Sequence, residues 1–174
     1  MPKLFSRAAQ VGVCALVFHL GVPMHAADTP PTLRQDVKVY SPDRHFYAVS
    51  SVAENHTSVF RAGSKKPVWE LPGYAPVLYL SDDGRHLVKG YEGGNILPMN
   101  AKGSEIFLTF YSGPTVAATL TLDQALPHWR ELGKSTSGRP WGDFWGFEKP
   151  TEFVLRLHDG KKLAFNADTG KRVP

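Results

Sequence analysis

The stretch SDDGRHLVKG, residues 81–90, decides the fold class of this chain. An Asp-Gly pair accepts the backbone angles of a tight hairpin turn, and the alternating residues after Gly84 predict a strand over 86–90. A second Asp-Gly pair, Asp159 and Gly160, precedes another predicted strand over 162–166 in the same way. The two turns therefore predict a fold built from antiparallel hairpins.

Period-two patterns rich in β-branched and aromatic residues recur on both sides of this stretch. One short helix is expected near 122–132, because Thr121 and Gln124 form a capping pair. Pro127 fits only its first turn and Gly133 would stop it. The chain is thus predicted to be all-β, mostly antiparallel, an open meander or sandwich of hairpins. The predicted strands cover residues 37–40, 46–52, 58–61, 67–71, 77–80, 86–90, 105–111, 116–122, 152–158 and 162–166.

Two of these segments form a weak internal repeat, SPDRHFYAV at 41–49 and SDDGRHLV at 81–88, in which His45 and His86 take equivalent places. Both resemble single blades of WD-repeat β-propellers, and HDGKKLAFNADTGK at 158–171 resembles a quinoprotein-type propeller repeat. The resemblance implies propeller-like hairpins in an exported bacterial protein. At roughly 40 residues a blade, the chain holds about three blades, fewer than a closed propeller needs. An open sheet or sandwich is therefore favoured over copies that complete a larger assembly.

The first 27 residues have the order of a secretory signal peptide. Lys3 and Arg7 precede an apolar run over 8–22, and small residues follow it up to Ala27. We expect a signal peptide over 1–27, a flexible leader over 28–35 and a single β-rich domain over 36–174. Cys14, the one cysteine, falls within the signal, so the domain would have no disulfide. The prediction is a periplasmic or secreted protein with no stable membrane span after cleavage.

The charge balance argues against a nucleic-acid partner. The whole chain carries a net charge of +4, and Lys3 and Arg7 belong to the predicted signal, which leaves about +2 on the domain. The remaining basic pairs are scattered along the chain. We interpret them as solvated surface that discourages aggregation of exposed strands.

The sequence carries no recognisable catalytic or metal-binding motif. There is no G-x-S-x-G elbow and no H-E-x-x-H pair, and the histidines are spread singly. The turns near Asp83 and Asn166 are rich in side-chain oxygens. We interpret them as turns whose side chains bond their own backbone, rather than as calcium-binding loops. We expect no metal and no cofactor. Four carboxylates keep a hydrolase open as an alternative: Glu92, Asp143, Glu148 and Glu152.

The most unusual segment is STSGRPWGDFWGF, residues 135–147, where aromatic residues alternate with glycines. Aromatics and arginine dominate binding hot spots, so a platform of Trp141, Phe144, Trp145 and Arg139 is the predicted binding site. The alternative is that these rings close one end of the β core. An exported, non-enzymatic binding or interaction module for a protein or glycan partner is the favoured function. A hydrolase of cell-wall or extracellular polymer, and an assembly protein that pairs through a β edge, are the alternatives.

Overall fold

In the computed structural model of the protein, residues 34–174 are described, and they form fourteen strands, one α-helix and one 3₁₀ turn. The predicted signal peptide and most of the predicted leader lie outside the described residues. The strands are β1 Val37–Tyr40, β2 Phe46–Ser51, β3 His56–Arg61, β4 Pro67–Pro72, β5 Leu78–Leu80, β6 His86–Gly90, β7 Ile96–Leu97, β8 Ile106–Ser112, β9 Thr115–Thr121, β10 Arg139–Pro140, β11 Gly142–Lys149, β12 Glu152–Leu157, β13 Lys162–Asn166 and β14 Arg172–Val173. The helix α1 is Leu122–Ala125, and the 3₁₀ turn is Trp129–Glu131.

Twelve of these strands form three antiparallel sheets of four. Sheet I has the order β1-β2-β3-β4, sheet II the order β5-β6-β8-β9, and sheet III the order β11-β12-β13-β14. β7 and β10 form a small antiparallel ribbon. The prediction of an all-β, mostly antiparallel fold with one short helix is confirmed.

Sheet II lies between the other two sheets and is covered on both faces. Successive side chains of a strand point to opposite faces, so Leu87 and Val88 of β6 point to different neighbours. Leu87 and Leu80 pack with Ala48 of sheet I, in one core cluster. Val88 packs with Phe153 of sheet III, in a second and larger cluster. Sheets I and III each bury one face against sheet II.

The first strands of the three sheets lie next to one another. β5 lies beside β1 and beside β11. Each of these strands is the edge strand of its own sheet and, among the described residues, pairs on one side only. Three free strand edges therefore converge in one part of the molecule.

The helix begins earlier than Pro127 and is shorter than predicted. Thr121 caps it as expected, since its Oγ1 accepts from Gln124 N while Gln124 Oε1 accepts from Thr121 N. The helix ends at Ala125, just before Pro127, because the proline ring would clash with the preceding turn. The chain resumes as the 3₁₀ turn and buries Trp129 in the core.

The largest difference from the predicted secondary structure is β11, in the segment interpreted as a glycine-flexed platform. Its residues from Gly142 onward belong to the eight-residue strand Gly142–Lys149, an edge strand of sheet III. Its pairing with β12 shifts register near Phe144 and again near Phe147, and these irregularities break the period-two pattern in the sequence. Gly142 has φ +140°, and a Cβ there would lie 2.0 Å from the carbonyl oxygen of Arg156. The glycine thus allows two strands to approach, and does not mark a loop.

The internal repeat is present as two identical turns, but the histidines in it are not equivalent. In the first turn Ser41 Oγ donates to Asp43, whose carboxylate also accepts from the backbone N–H of His45. In the second turn the same two bonds run from Ser81 and from the N–H of Arg85 to Asp83. His45 therefore corresponds to Arg85, and the prediction that it matched His86 is corrected. The repeat aligns without an insertion, and Phe46 corresponds to His86.

Candidate functional site

The four residues of the predicted platform do not share a surface. Trp141 is 0% exposed, and its ring packs edge-on against Phe107 and Phe144. Its Nε1 donates to the carbonyl oxygen of Gly94 at 2.8 Å. The location of Trp141 in the β core matches the alternative interpretation, in which the rings close the core. Trp141 is therefore removed from the predicted site.

Phe144 and Arg139 also have structural contacts. Phe144 is half-buried and packs against the core, where its ring lies 5.8 Å from that of Tyr79. Arg139 donates through Nη1 to the carbonyl oxygens of Arg130 and Leu132, at 3.0 and 2.9 Å. Arg139 thus holds the end of the 3₁₀ turn against the ribbon. It donates to two carbonyl oxygens at the end of the turn, where backbone carbonyls have no N–H partner within the turn.

Trp145 points to the opposite side of β11, away from the core, and is 48% exposed. The guanidinium of Arg156 lies 4.4 Å from its ring centroid, and Lys162 Nζ lies 5.5 Å away. Asp143 pairs with Arg156 at 2.7 Å, and Glu148 pairs with Lys162. Trp145 is therefore the one member of the predicted platform that offers a large apolar surface to solvent, and it is oriented by a set of paired charges.

Trp145 lies on the rim of an open cleft where β1, β5 and β11 converge. This axial cleft has a volume of about 350 Å³. Tyr40 stands on the β1 side and is 50% exposed. Tyr79 lines it from β5, and the pKa of Tyr79 is raised by burial and by the nearby charge of Asp143. The cleft is lined by Val39, Tyr40, Pro42, Leu78, Tyr79, Leu80, Trp145, Gly146 and Phe147.

The carboxylates named for a hydrolase are held in ion pairs or lie apart. Asp143, Glu148 and Glu152 each lie within hydrogen-bond distance of a cation, which is Arg156, Lys162 or Lys149 respectively. Each of these carboxylates therefore already has a side-chain partner of this chain. Glu92 lines a different pocket, between β6 and β8. The geometry does not favour the hydrolase alternative.

A buried histidine joins sheet II to sheet III. The His86 side chain is 3% exposed, with Nδ1 3.0 Å from Asp83 Oδ2 and Nε2 3.0 Å from Asp168 Oδ1. Burial raises the pKa of Asp83, but donors from Ser81 and the Arg85 backbone, with the His86 ring, outweigh it and bring that pKa below its ordinary value. In the matching turn of sheet I, the same type of hydroxyl and N–H donors lower the pKa of Asp43 to about 2. These groups hold the turns in place, and His86 joins sheet II to sheet III.

A second, larger pocket lies between the 3₁₀ turn and sheet III, with a volume of about 430 Å³. Leu126 and Trp129 line this pocket. His128 and Glu131 also line it and contact each other at 3.0 Å. Over residues 34–174, no three metal-ligating side chains converge. Within the same range no helix is long and apolar enough to cross a membrane.

The sequence indicated Trp145 but not the residues that surround it. Tyr40 and Tyr79 lie in predicted strands some 40 residues apart, and only the packing of the sheets brings them to the same cleft. Asp168 lies in a turn expected to satisfy only its own backbone, and it also reaches His86 of another sheet. No signal in the sequence links these positions. No family model matches the chain, and a search of curated proteins finds no match.

Proposed function

We propose that this protein is an exported, periplasmic, non-enzymatic binding module that holds an extended segment of a partner protein in the axial cleft. One observation carries the proposal: three strand edges, each paired on one side only among the described residues, converge at a cleft with two half-exposed aromatic side chains at its rim. Free strand edges present rows of N–H and C=O groups to which an extended chain can add.

The aromatic rim supplies the apolar anchor that such an interaction needs. Tyr40 and Trp145 stand on different sheets at the same cleft. Large aromatic side chains lose little conformational entropy on binding and recur at interface hot spots. Gly146, beside Trp145, is buried, and a Cβ there would lie 3.5 Å from Cδ1 of Tyr79, so the missing side chain leaves room for the Tyr79 ring that lines the cleft.

A polypeptide fits the cleft better than a glycan does. A sugar ring stacks on a free aromatic face, but Arg156 already lies 4.4 Å from the centroid of the Trp145 ring. The exposed edge of the indole remains free for the apolar side chain of a peptide. The Arg156 guanidinium is itself paired with Asp143, so displacing it would cost an ion pair.

The experiment is a selection of random twelve-residue peptides displayed on phage against the purified protein. We expect enriched peptides whose binding, measured by calorimetry, weakens at least tenfold in Trp145→Ala, in line with hot-spot losses of about 2 kcal/mol or more. Val116→Ala is the matched control, because Val116 is 52% exposed on sheet II, away from the cleft.

Peptides that bind wild type and Trp145→Ala equally would contradict the proposal. So would a selection that enriches nothing while a glycan array gives Trp145-dependent binding, which would support a sugar ligand instead. Mass spectrometry of the protein recovered from the periplasm tests the export prediction, since removal of residues 1–27 leaves a chain that starts at Asp28. A periplasmic fraction without the protein would refute this part.

A further inference from the structure

The outer face of sheet I carries a row of aromatic side chains that no other described residue covers from the far side. Tyr40, Tyr47 and Phe60 are direct neighbours across β1, β2 and β3. The rings of Tyr47 and Phe60 stack with their centroids 4.9 Å apart, and Tyr40 lies 5.8 Å from Tyr47. Val68 on β4 is 55% exposed. The row of Tyr40, Tyr47 and Phe60 is called the large row of sheet I.

The internal repeat shows what a row at this position does. Because Ser41 corresponds to Ser81, the large row of sheet I corresponds to Leu80, Leu87 and Tyr111 in sheet II, which are neighbours across β5, β6 and β8. In sheet II these residues are covered by sheet I, and Leu80 and Leu87 are fully buried. The large row of sheet I thus occupies the position that a neighbouring sheet covers elsewhere in the same chain.

The surface that covers the large row of sheet II is a row of small and β-branched residues. On the inner face of sheet I, Val39, Ala48 and Val59 are neighbours across β1, β2 and β3. Large side chains of one sheet therefore interdigitate with small ones of the next, which is how stacked sheets reach close packing. A cover for sheet I should present a similar row of small residues.

Sheet III has such a row on its outer face. Val154, Ala164 and Val173 are neighbours across β12, β13 and β14. Val154 is already buried, and Ala164 and Val173 are half-buried. None of the three belongs to a core cluster, as expected for residues on the face away from sheet II.

We infer that a second copy of this chain docks here, with its sheet III covering sheet I of the first copy. The contact repeats the packing of sheet I on sheet II and of sheet II on sheet III. Each copy has one large row and one small row that sheet II does not cover, so two copies can cover each other twice and close the pair by symmetry. This inference does not rest on peptide binding. It differs from pairing through a β edge, because the sheets meet face to face.

Sedimentation velocity of the purified protein tests the inference at concentrations from about 1 to about 100 µM. We expect a species of twice the chain mass whose population rises with concentration. Phe60→Glu should weaken this association at least tenfold. Val68→Glu should do the same and disturb no core contact, so it serves as the second variant if Phe60→Glu does not fold. A monomer at every concentration, or variants that associate like wild type, would overturn the inference.

Photo-crosslinking identifies the docked surface. A benzoylphenylalanine at position 68 should crosslink to residues 142–173 of another copy, while the same group at Val116, equally exposed on sheet II, should not. Crosslinks from position 68 to residues 1–33, or to another part of the partner copy, would overturn the assignment. Tyr40 belongs both to the large row and to the rim of the axial cleft, so docking and peptide binding are measured separately. A monomer that still binds peptides through Trp145 removes only the second copy. Failure to bind peptides at a dilution at which the protein is monomeric removes only the binding module.

Discussion

Truncation of Trp141 and of Trp145 should have very different consequences, although the two residues are only four positions apart. Trp141 comes just before β11, and Trp145 lies within it. Trp141 is fully buried, and its replacement by alanine leaves a large cavity. Such truncations cost about 3–5 kcal/mol. The lost bond to Gly94 adds little, because Gly94 is exposed and water can replace the indole donor. The loss of the edge contacts with Phe107 and Phe144 places the cost in the upper part of this range.

Trp145→Ala should cost no more than about 1 kcal/mol, since it removes a half-exposed ring and its contact with Arg156. For a domain of about 140 residues, Trp141→Ala then lowers the midpoint of thermal unfolding by roughly 10–20 °C, and Trp145→Ala by a few degrees at most. Circular dichroism on heating measures both shifts. Equal shifts, or a larger shift for Trp145→Ala, would refute the placement of Trp141 in the core and of Trp145 at the surface.

Three further changes test the contacts that hold the sheets in place. His86→Ala should destabilise the fold by about 2 kcal/mol in urea unfolding, because Asp83 and Asp168 both lose the imidazole that they contact. An unchanged midpoint would contradict the role of His86 as the link between sheets II and III. Gly142→Ala should cost at least about 2 kcal/mol and lower the yield of folded protein, since the new Cβ meets the Arg156 carbonyl at 2.0 Å, and a variant as stable as wild type would exclude this close approach. The depressed pKa of Asp43, about 2, means that its ionised form stabilises the fold fully above about pH 4 and that this contribution is lost as the pH falls towards 2. In Asp43→Asn, stability should therefore fall less steeply with pH in that range, as measured by acid unfolding followed by circular dichroism. An unchanged acid transition would contradict the contribution of ionised Asp43 to stability.

Most of the strands could be predicted because their pattern is local. β1, β6 and β13 have the predicted bounds. Each of the other predicted strands begins and ends within two residues of its predicted bounds. Asp-Gly turns and alternating side chains depend on neighbours in the sequence, so a single chain shows them directly. β11 escaped prediction because its bulges and glycines disturb that alternation, and the two-residue strands are too short to have a pattern.

The candidate site was predicted only in part for a related reason. The segment over 135–147 was singled out as unusual, and its aromatic residues were assigned to one surface. Successive side chains of a strand point to opposite faces, so the rings of Phe144 and Trp145 lie on different faces of β11. Trp141 and Phe144 therefore enter the core while Trp145 remains half-exposed. Sequence spacing cannot show which face of a strand is covered.

The sequence alone determined that this chain folds as antiparallel hairpins, because turn chemistry and side-chain alternation act over a few residues. Only the tertiary structure decided how the hairpins are used. It stacked three sheets so that sheet II is covered on both faces and sheets I and III on one face each. It also brought strand edges from three parts of the chain to one cleft. Alternation specifies that a strand has two faces, but what covers each face depends on packing between residues that are far apart in the sequence.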